Sequence, residues 1–466
     1  MNSSEKMSCF PRPDRQLSLR HLSIACILPF IVFVLGCHRA DQRASGITLT
    51  LIDQTWVEKE YQLRLSEQLA EFTKRTGLRV EVLPAPEAAV EQLVTWRKLL
   101  ESGSTIPDVY AIDAIWPGIL ADNLLDLKAY VLAEDIKVQF PELVSNNTVN
   151  GRLVALPSNL NEGVLFYRTD LLREYGYPSP PKTWQELETM AKRIQAGERA
   201  KGRKDFWGFV WQGAPSEALT CNALEWQASE GGGTILDGNA RITVNNPQAI
   251  HAWERASSWI GSISPPGVNA YKEWDANNIW QAGQTAFMRG WTGTYRAAAA
   301  PNSPTKDRFD IAPLPRGAAG MATTIGGSGY GVSRHSLHVR EAVMLVLFLA
   351  SRDEQVRRSR YAAELPTIPE LYKQPEVLAA NPHFPRALEV FREGAVVRPS
   401  TVAGKMYPEV SRAYFEAVHA VLTHKKSASK AAADLEVELR QILTAKESTS
   451  NVRSEGNGAS QQSAKK

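Results

Sequence analysis

Strands alternate with helices at the start of the folded part of the chain, and this alternation limits the fold more than any other feature. Ile47 to Ile52 (ITLTLI) reads as a buried strand. Behind it Tyr61, Leu65, Leu69 and Phe72 recur at three and four residues within Glu60 to Thr76, the period of an amphipathic helix, and Gly77 is a natural stop. Val80 to Val82 reads as a second strand, Glu87 to Leu100 as a second helix and Pro107 to Ile112 as a third strand. Such units build a mainly parallel sheet. Ligands of these sheets sit beyond the carboxyl ends of the strands, so Asp113, which ends the third, is expected to face a cleft.

Further along, Gly151 to Pro157 (GRLVALP) and Gly163 to Tyr167 (GVLFY) read as strands flanking a polar turn, Ser158 to Glu162. Thr183 and Glu186 form a capping box at a helix start. Phe309 to Pro315 reads as a strand, Gly326 to Gly329 as a tight turn before another strand, and Arg340 to Ser351 as an apolar helix. A helix from Lys430 to Ala445 is expected to be the last ordered element. Residues 447–466 are Ser, Asn, Gly, Gln and Lys with almost no apolar residue, which predicts a disordered tail.

The N-terminus has another logic. Arg12, Arg15 and Arg20 precede an apolar run from Ile24 to Leu35, which ends Val34-Leu35-Gly36-Cys37. A basic start, a short apolar middle and a small residue before the cut describe an export signal. The run is shorter than the roughly 20 residues of a membrane-spanning helix. A Cys directly after the small residue fits a bacterial lipoprotein signal, so residues 1–36 are expected to be removed and Cys37 to carry lipid. Residues 37–46 would be a flexible tether.

What remains is about 430 residues, too many for one hydrophobic core. The net charge of +3 and the lack of a basic patch argue against nucleic-acid binding. Of the four cysteines only Cys221 lies beyond the signal and the lipidation point, so no internal disulfide can form, and Cys221 reads as a small buried hydrophobe.

Enzyme motifs are few. No GxSxG elbow, HExxH helix or phosphate loop occurs, and the eight His are scattered, so no metal and no cofactor is expected. Glycoside hydrolysis needs two facing carboxylates. Asp113, Glu162, Glu225 and Glu273 are the candidates, each equally readable as a cap or a surface charge. The aromatic and amide content suits sugar binding, because pyranose C–H faces stack on Trp while hydroxyls pair with Asp, Glu, Asn and Arg. Asn159 and Asn161 lie two apart, with carboxamides that both donate and accept, although Asn favours turns anyway. Trp291 follows Gly290 and emerges at a turn or joins the core. Arg398, stiffened by Pro399, reads as a hydroxyl clamp or a surface ion pair.

Taken together, several segments resemble the extracellular solute-binding proteins of bacterial sugar ABC transporters, and among them the trehalose/maltose-binding proteins. They are Pro107-Asp108-Val109 leading to Asp113, Ala155-Leu156-Pro157, Phe166 to Leu172, Phe206 to Gly213, Gly283 to Trp291, Ala312 to Pro315, Gly326-Gly327 and Arg398-Pro399. The resemblance runs from about Ile47 to Leu443. It implies a two-lobed α/β periplasmic-binding-protein fold of type II, with the ligand in a cleft between lobes. Lobe 1 would be 47–155 and 309–353, and lobe 2 would be 156–308 and 354–446. It also implies binding by Asp113, by Glu60 (or Glu58), by Glu273, by Trp291 as a stacking platform, by the amides of Gly326 and Gly327, and by Arg398. Where the trehalose/maltose binders put Tyr and Asp, this chain has Asn159 and Asn161. Where they can place a second Trp, it has Ser328, which leaves the sugar open. The implied role is non-enzymatic: a monomeric, lipid-anchored receptor outside the cytoplasm that passes an α-glucoside disaccharide to a permease driven by a cytoplasmic ATPase. A polyol or a glucosylated compatible solute is the alternative ligand, and a cell-surface glycosidase the alternative activity.

Overall fold

A computed structural model describes residues 46–54, 59–86 and 89–444. The expected signal, the lipidation point Cys37, Glu58 and the tail 447–466 lie outside the described residues, as does the tether apart from Gly46. Among the described residues eleven strands are present: β1 Thr48–Ile52, β2 Arg79–Leu83, β3 Val109–Asp113, β4 Thr148–Val149, β5 Arg152–Leu153, β6 Leu156–Arg168, β7 Trp207–Val210, β8 Thr285–Trp291, β9 Phe309–Ala312, β10 Thr323–Val332 and β11 Ala395–Val396. Nine form one sheet in the order β2-β1-β3-β10-β6-β8-β7, with β11 on β10 and β9 on β6, while β4 and β5 pair with each other.

The expected βα start is present. β1 is parallel to both β2 and β3, and the helix between β1 and β2 spans Lys59–Thr76. It buries Leu65, Leu69 and Phe72, and Gly77 ends it with a φ of +76°, a conformation glycine takes without strain. The helix Trp184–Ala200 is capped by Thr183, whose hydroxyl accepts from the Glu186 N–H at 3.2 Å. The Glu186 carboxylate returns to Lys182 N, one residue earlier than a strict capping box. The last described helix covers residues 428–444. Cys221 is buried and unpaired, as its context implies, and burial pushes its thiol up to about 12.

Two expected turns are strand interiors instead. Residues 158–162 lie in the middle of β6, which runs unbroken for 13 residues. Their backbone is engaged by β10, with Asn159 opposite Ser328, Asn161 opposite Gly326 and Glu162 opposite Ile325. Polar side chains at 159 and 161 alternate with a buried Leu160, which is strand periodicity under turn-like composition. Gly326 to Gly329 likewise sit inside β10, where missing side chains let β6 approach. A β-carbon on Gly327 would collide with the Asn159 carbonyl, and one on Gly329 would lie 2.5 Å from the Leu156 carbonyl.

β6 organises the molecule. Leu156 to Glu162 pair with β10, whereas Gly163 to Arg168 pair with β8 and β9. One strand therefore passes from the half of the sheet that holds β1, β2 and β3 into the half that holds β7, β8 and β9. Glu162 and Gly163 are the residues at the junction.

Candidate ligand-binding site

The sheet register sets most of the residues singled out from the sequence at three successive two-residue steps along β6. Asp113 at the end of β3 faces Ser328 on β10, Ser328 faces Asn159 on β6, Gly326 faces Asn161, and Gly163 faces Trp291 at the end of β8. Asp113 accepts from the Ile115 N–H at 3.1 Å. Burial pushes its carboxyl above the usual carboxylate range, and the nearby guanidinium of Arg398 opposes that push. Arg398 is 7% exposed, follows β11, and donates from Nη2 to the Ile325 carbonyl at 3.0 Å and from Nη1 to Glu217 at 2.9 Å. Its Nε is buried without a partner among the described residues.

The two asparagines differ. The Asn159 carboxamide is consumed internally: Oδ1 accepts from Ser328 N at 2.7 Å and from its hydroxyl at 3.3 Å, and Nδ2 donates to Glu364 at 3.4 Å. It ties β6 to β10. Asn161 uses Oδ1 to accept from Thr292 Oγ1 at 2.7 Å and from Gly293 N at 3.2 Å, which holds the turn after Trp291. Its Nδ2 donates to no group among the described residues.

Trp291 is half-buried, and the guanidinium carbon of Arg289 stands 4.2 Å from its ring centroid. Glu273 is the first residue of the helix Glu273–Gln281 and is half-buried; among the described residues it pairs with none of the other candidates. Glu60 lies in the first turn of the helix Lys59–Thr76, and its side chain lies outside the described residues. A surface depression lined by Glu67, Arg352, Arg357, Arg360, Tyr361 and Glu376, among others, contains none of the candidates.

Sequence reasoning passed over Asp53, Glu217 and the buried pair formed by Arg289 and Glu225. Asp53 is 2% exposed and accepts from Gln54 N at 2.6 Å and from the Tyr330 hydroxyl at 3.1 Å. Burial raises its pKa too, against those hydrogen bonds. Its signal was available, because Asp53 directly follows the end of β1 at Leu51-Ile52 much as Asp113 follows Ala111-Ile112 at the end of β3. An acid thus stands at the carboxyl end of each of two parallel strands. Glu217 accepts from Arg398, from the Tyr407 hydroxyl and from the Ser411 hydroxyl. Buried carboxylates, an unspent amide and an indole beside them can take a polyhydroxylated molecule by hydrogen bonding and stacking.

The pattern of the bacterial extracellular solute-binding proteins matches residues 58–356. A probable ABC transporter-binding protein of Deinococcus radiodurans is 44% identical over 372 residues, 80% of this chain and 88% of the relative. The maltose-bound structure of T. maritima MalE3 is 35% identical with a TM-score of 0.76, over 85% of this chain and 100% of that one. A solute-binding protein of Agrobacterium radiobacter in complex with ribitol is 22% identical, with a TM-score of 0.72 over 86% and 99% of the two chains, a likeness of fold alone. The fold is the two-lobed α/β architecture of these binding proteins. With the family pattern over 58–356 and a relative 44% identical, the chain belongs to the bacterial extracellular solute-binding proteins, the binding components of ABC transporters.

Proposed function

We propose that this protein is the sugar receptor of an ABC importer and binds an α-glucoside disaccharide such as trehalose or maltose. The observation that carries the reading is the placement of Asp113, Gly326, Asn161 and Trp291 on β3, β10, β6 and β8 at the levels of Asn159, Asn161 and Gly163, successive two-residue steps along β6, with Arg398 near Asp113. An acid and a guanidinium next to an indole match the hydroxyl rim and the apolar face of a pyranose. The likeness to maltose-bound MalE3 supports the same class of ligand. Asp113 and Arg398 take hydroxyls, Trp291 stacks on one ring, and the amides of Gly326 and Gly327, Asn161, Glu60 and Glu273 complete the site. Asn159 is reassigned from the ligand to the β6–β10 crossing, since its polar atoms are engaged there.

The lobes divide as 47–155 with 309–353 and 156–308 with 354–446, corrected at β9, which pairs with the second half of β6 and so goes with lobe 2, and sugar closes them by a hinge motion. Lipid on Cys37 and the short tether hold the monomer beside its permease, to which the closed form delivers the sugar. Export fits the extracellular family. Ser328 and Asn159, in place of aromatics, leave one platform, which favours a polyol or a glucosylated compatible solute as the second reading.

The test is a thermal-shift screen of the mature chain with trehalose, maltose, sucrose, glucosylglycerol and ribitol, followed by calorimetry on each stabilising ligand. Stabilisation by trehalose or maltose is expected. Stabilisation by ribitol or glucosylglycerol alone selects the second reading, and stabilisation by none of the five overturns both. Recovery of glucose from an incubated disaccharide would show hydrolysis and overturn the receptor role.

A further inference from the structure

Beneath Trp291 lies a charged pair that the ligand reading does not use. Arg289 and Glu225 are both fully buried, on β8 and on the helix Glu217–Ser229. The guanidinium meets the carboxylate as a fork, Nε to Oε2 at 2.9 Å and Nη2 to Oε1 at 2.6 Å. Nη2 also donates to Thr324 Oγ1 at 3.1 Å, and Glu225 Oε1 accepts from Thr324 N at 3.0 Å. Gly163, opposite Trp291 in the ladder, leaves room for the pair: a β-carbon there would lie 2.6 Å from Arg289 Nη2 and collide with Glu225 Oε1.

Burying two charges gains little stability over a well-packed apolar pair, so another reason for the arrangement is needed. Trp291 supplies it. The guanidinium is anchored to a helix and to β10 on its edges, and its carbon stands 4.2 Å from the indole centroid. A cation over an aromatic face attracts it, and a guanidinium fixed by a forked pair cannot follow a tilting ring. At another edge the lack of a side chain on Gly326 leaves the ring its room, since a β-carbon there would stand 3.3 Å from Cζ3.

We propose that Arg289 is a positioning residue: it fixes the plane of Trp291 from the protein side and leaves the other face for one stacked sugar ring. The proposal rests on the reading of Trp291 as the platform. Arg289 itself does not touch the ligand. With one face presented, one ring of a disaccharide is held by stacking and the other by hydrogen bonds alone, so changes on the stacked ring matter most.

The test is a double-mutant cycle read by calorimetry with maltose and trehalose as probes. Arg289→Lys keeps a charge against Glu225 but loses the plane. It is expected to weaken binding about tenfold when Trp291 is present and less than about twofold in a Trp291→Ala background. Equal losses in both backgrounds, or none in the first, overturn the proposal. The paired variant R289M/E225Q removes both charges together and serves if the lysine variant does not fold. A second arm needs no sugar: in protein labelled with 5-fluorotryptophan, the resonance identified by Trp291→Phe should shift or broaden in either variant. An unchanged resonance overturns the proposal. If the wild type binds neither probe, the stacking role fails, and the fluorine arm decides separately whether Arg289 holds the ring.

Discussion

Cζ3 of Trp291 lies 3.3 Å from the point a β-carbon on Gly326 would occupy, closer than such carbons normally come to a neighbour. Gly326 therefore leaves the indole room that a side chain at this position would take. Its φ lies outside the left-handed region, so the backbone tolerates alanine and the indole has to yield. Gly326→Ala is expected to lower sugar affinity by about 1 kcal/mol, roughly fivefold, at the low end of overpacking costs. Calorimetry measures the loss, and a melting temperature within a few degrees of wild type assigns it to the site.

Asp113 shows stability and binding pulling apart. A carboxyl whose folded pKa is raised makes its full contribution to stability below the unfolded pKa, and loses it as pH rises through the folded value. At neutral pH the ionised form is a burden that Arg398 only partly relieves. Asp113→Asn should therefore melt no lower than wild type at pH 7, yet bind sugar about 2 kcal/mol more weakly through loss of charged hydrogen bonds. In the wild type, affinity should fall as acid protonates Asp113. An Asn variant with unchanged affinity would remove Asp113 from the site.

The start of the fold was legible because β1, the helix after it and β3 follow their own apolar periods, and Asp113 could be placed from the strand it ends. β6 was not legible. Asn159, Asn161 and Glu162 have the composition of a turn, and only the pairing with β10 makes them strand. Gly327 and Gly329 suggest a turn for the same reason, whereas their role is to let two strands approach. Arg289 and Glu225 are 64 residues apart, and nothing in either neighbourhood points to the other. Asp53 was legible by the argument used for Asp113, since one directly follows β1 and the other ends the parallel neighbour β3.

Glu217 gathers Arg398, Tyr407 and Ser411 on one carboxylate, so it links the end of β11 to two helices. The Arg398 side chain is 6% exposed and that of Glu217 33%. Glu217→Gln keeps the shape but leaves the guanidinium with less compensation. The expected loss is about 1–2 kcal/mol, below the 3–5 of a fully buried pair because water reaches Glu217. Urea denaturation measures it, and sugar affinity should fall too, since Arg398 loses the partner that aims it.

Glu162 carries the sharpest pH prediction. It is fully buried at the β6 junction, and neither carboxylate oxygen has a partner among the described residues. Burial alone drives its pKa well above the ordinary value, and the titratable neighbour that senses it is Tyr372, whose hydroxyl donates to the Pro366 carbonyl. The folded protein thus holds this proton more tightly than the unfolded chain. Its contribution is complete below the unfolded pKa of about 4.3 and is lost as pH rises toward the folded value. Glu162→Gln cannot ionise. The variant and the wild type should differ least near pH 3.5, below the unfolded pKa, and by pH 8 the variant should have gained about 1–2 kcal/mol on the wild type, the scale of an unmet buried polar group. Parallel melting curves across that range would mean that Glu162 is solvated or paired in solution.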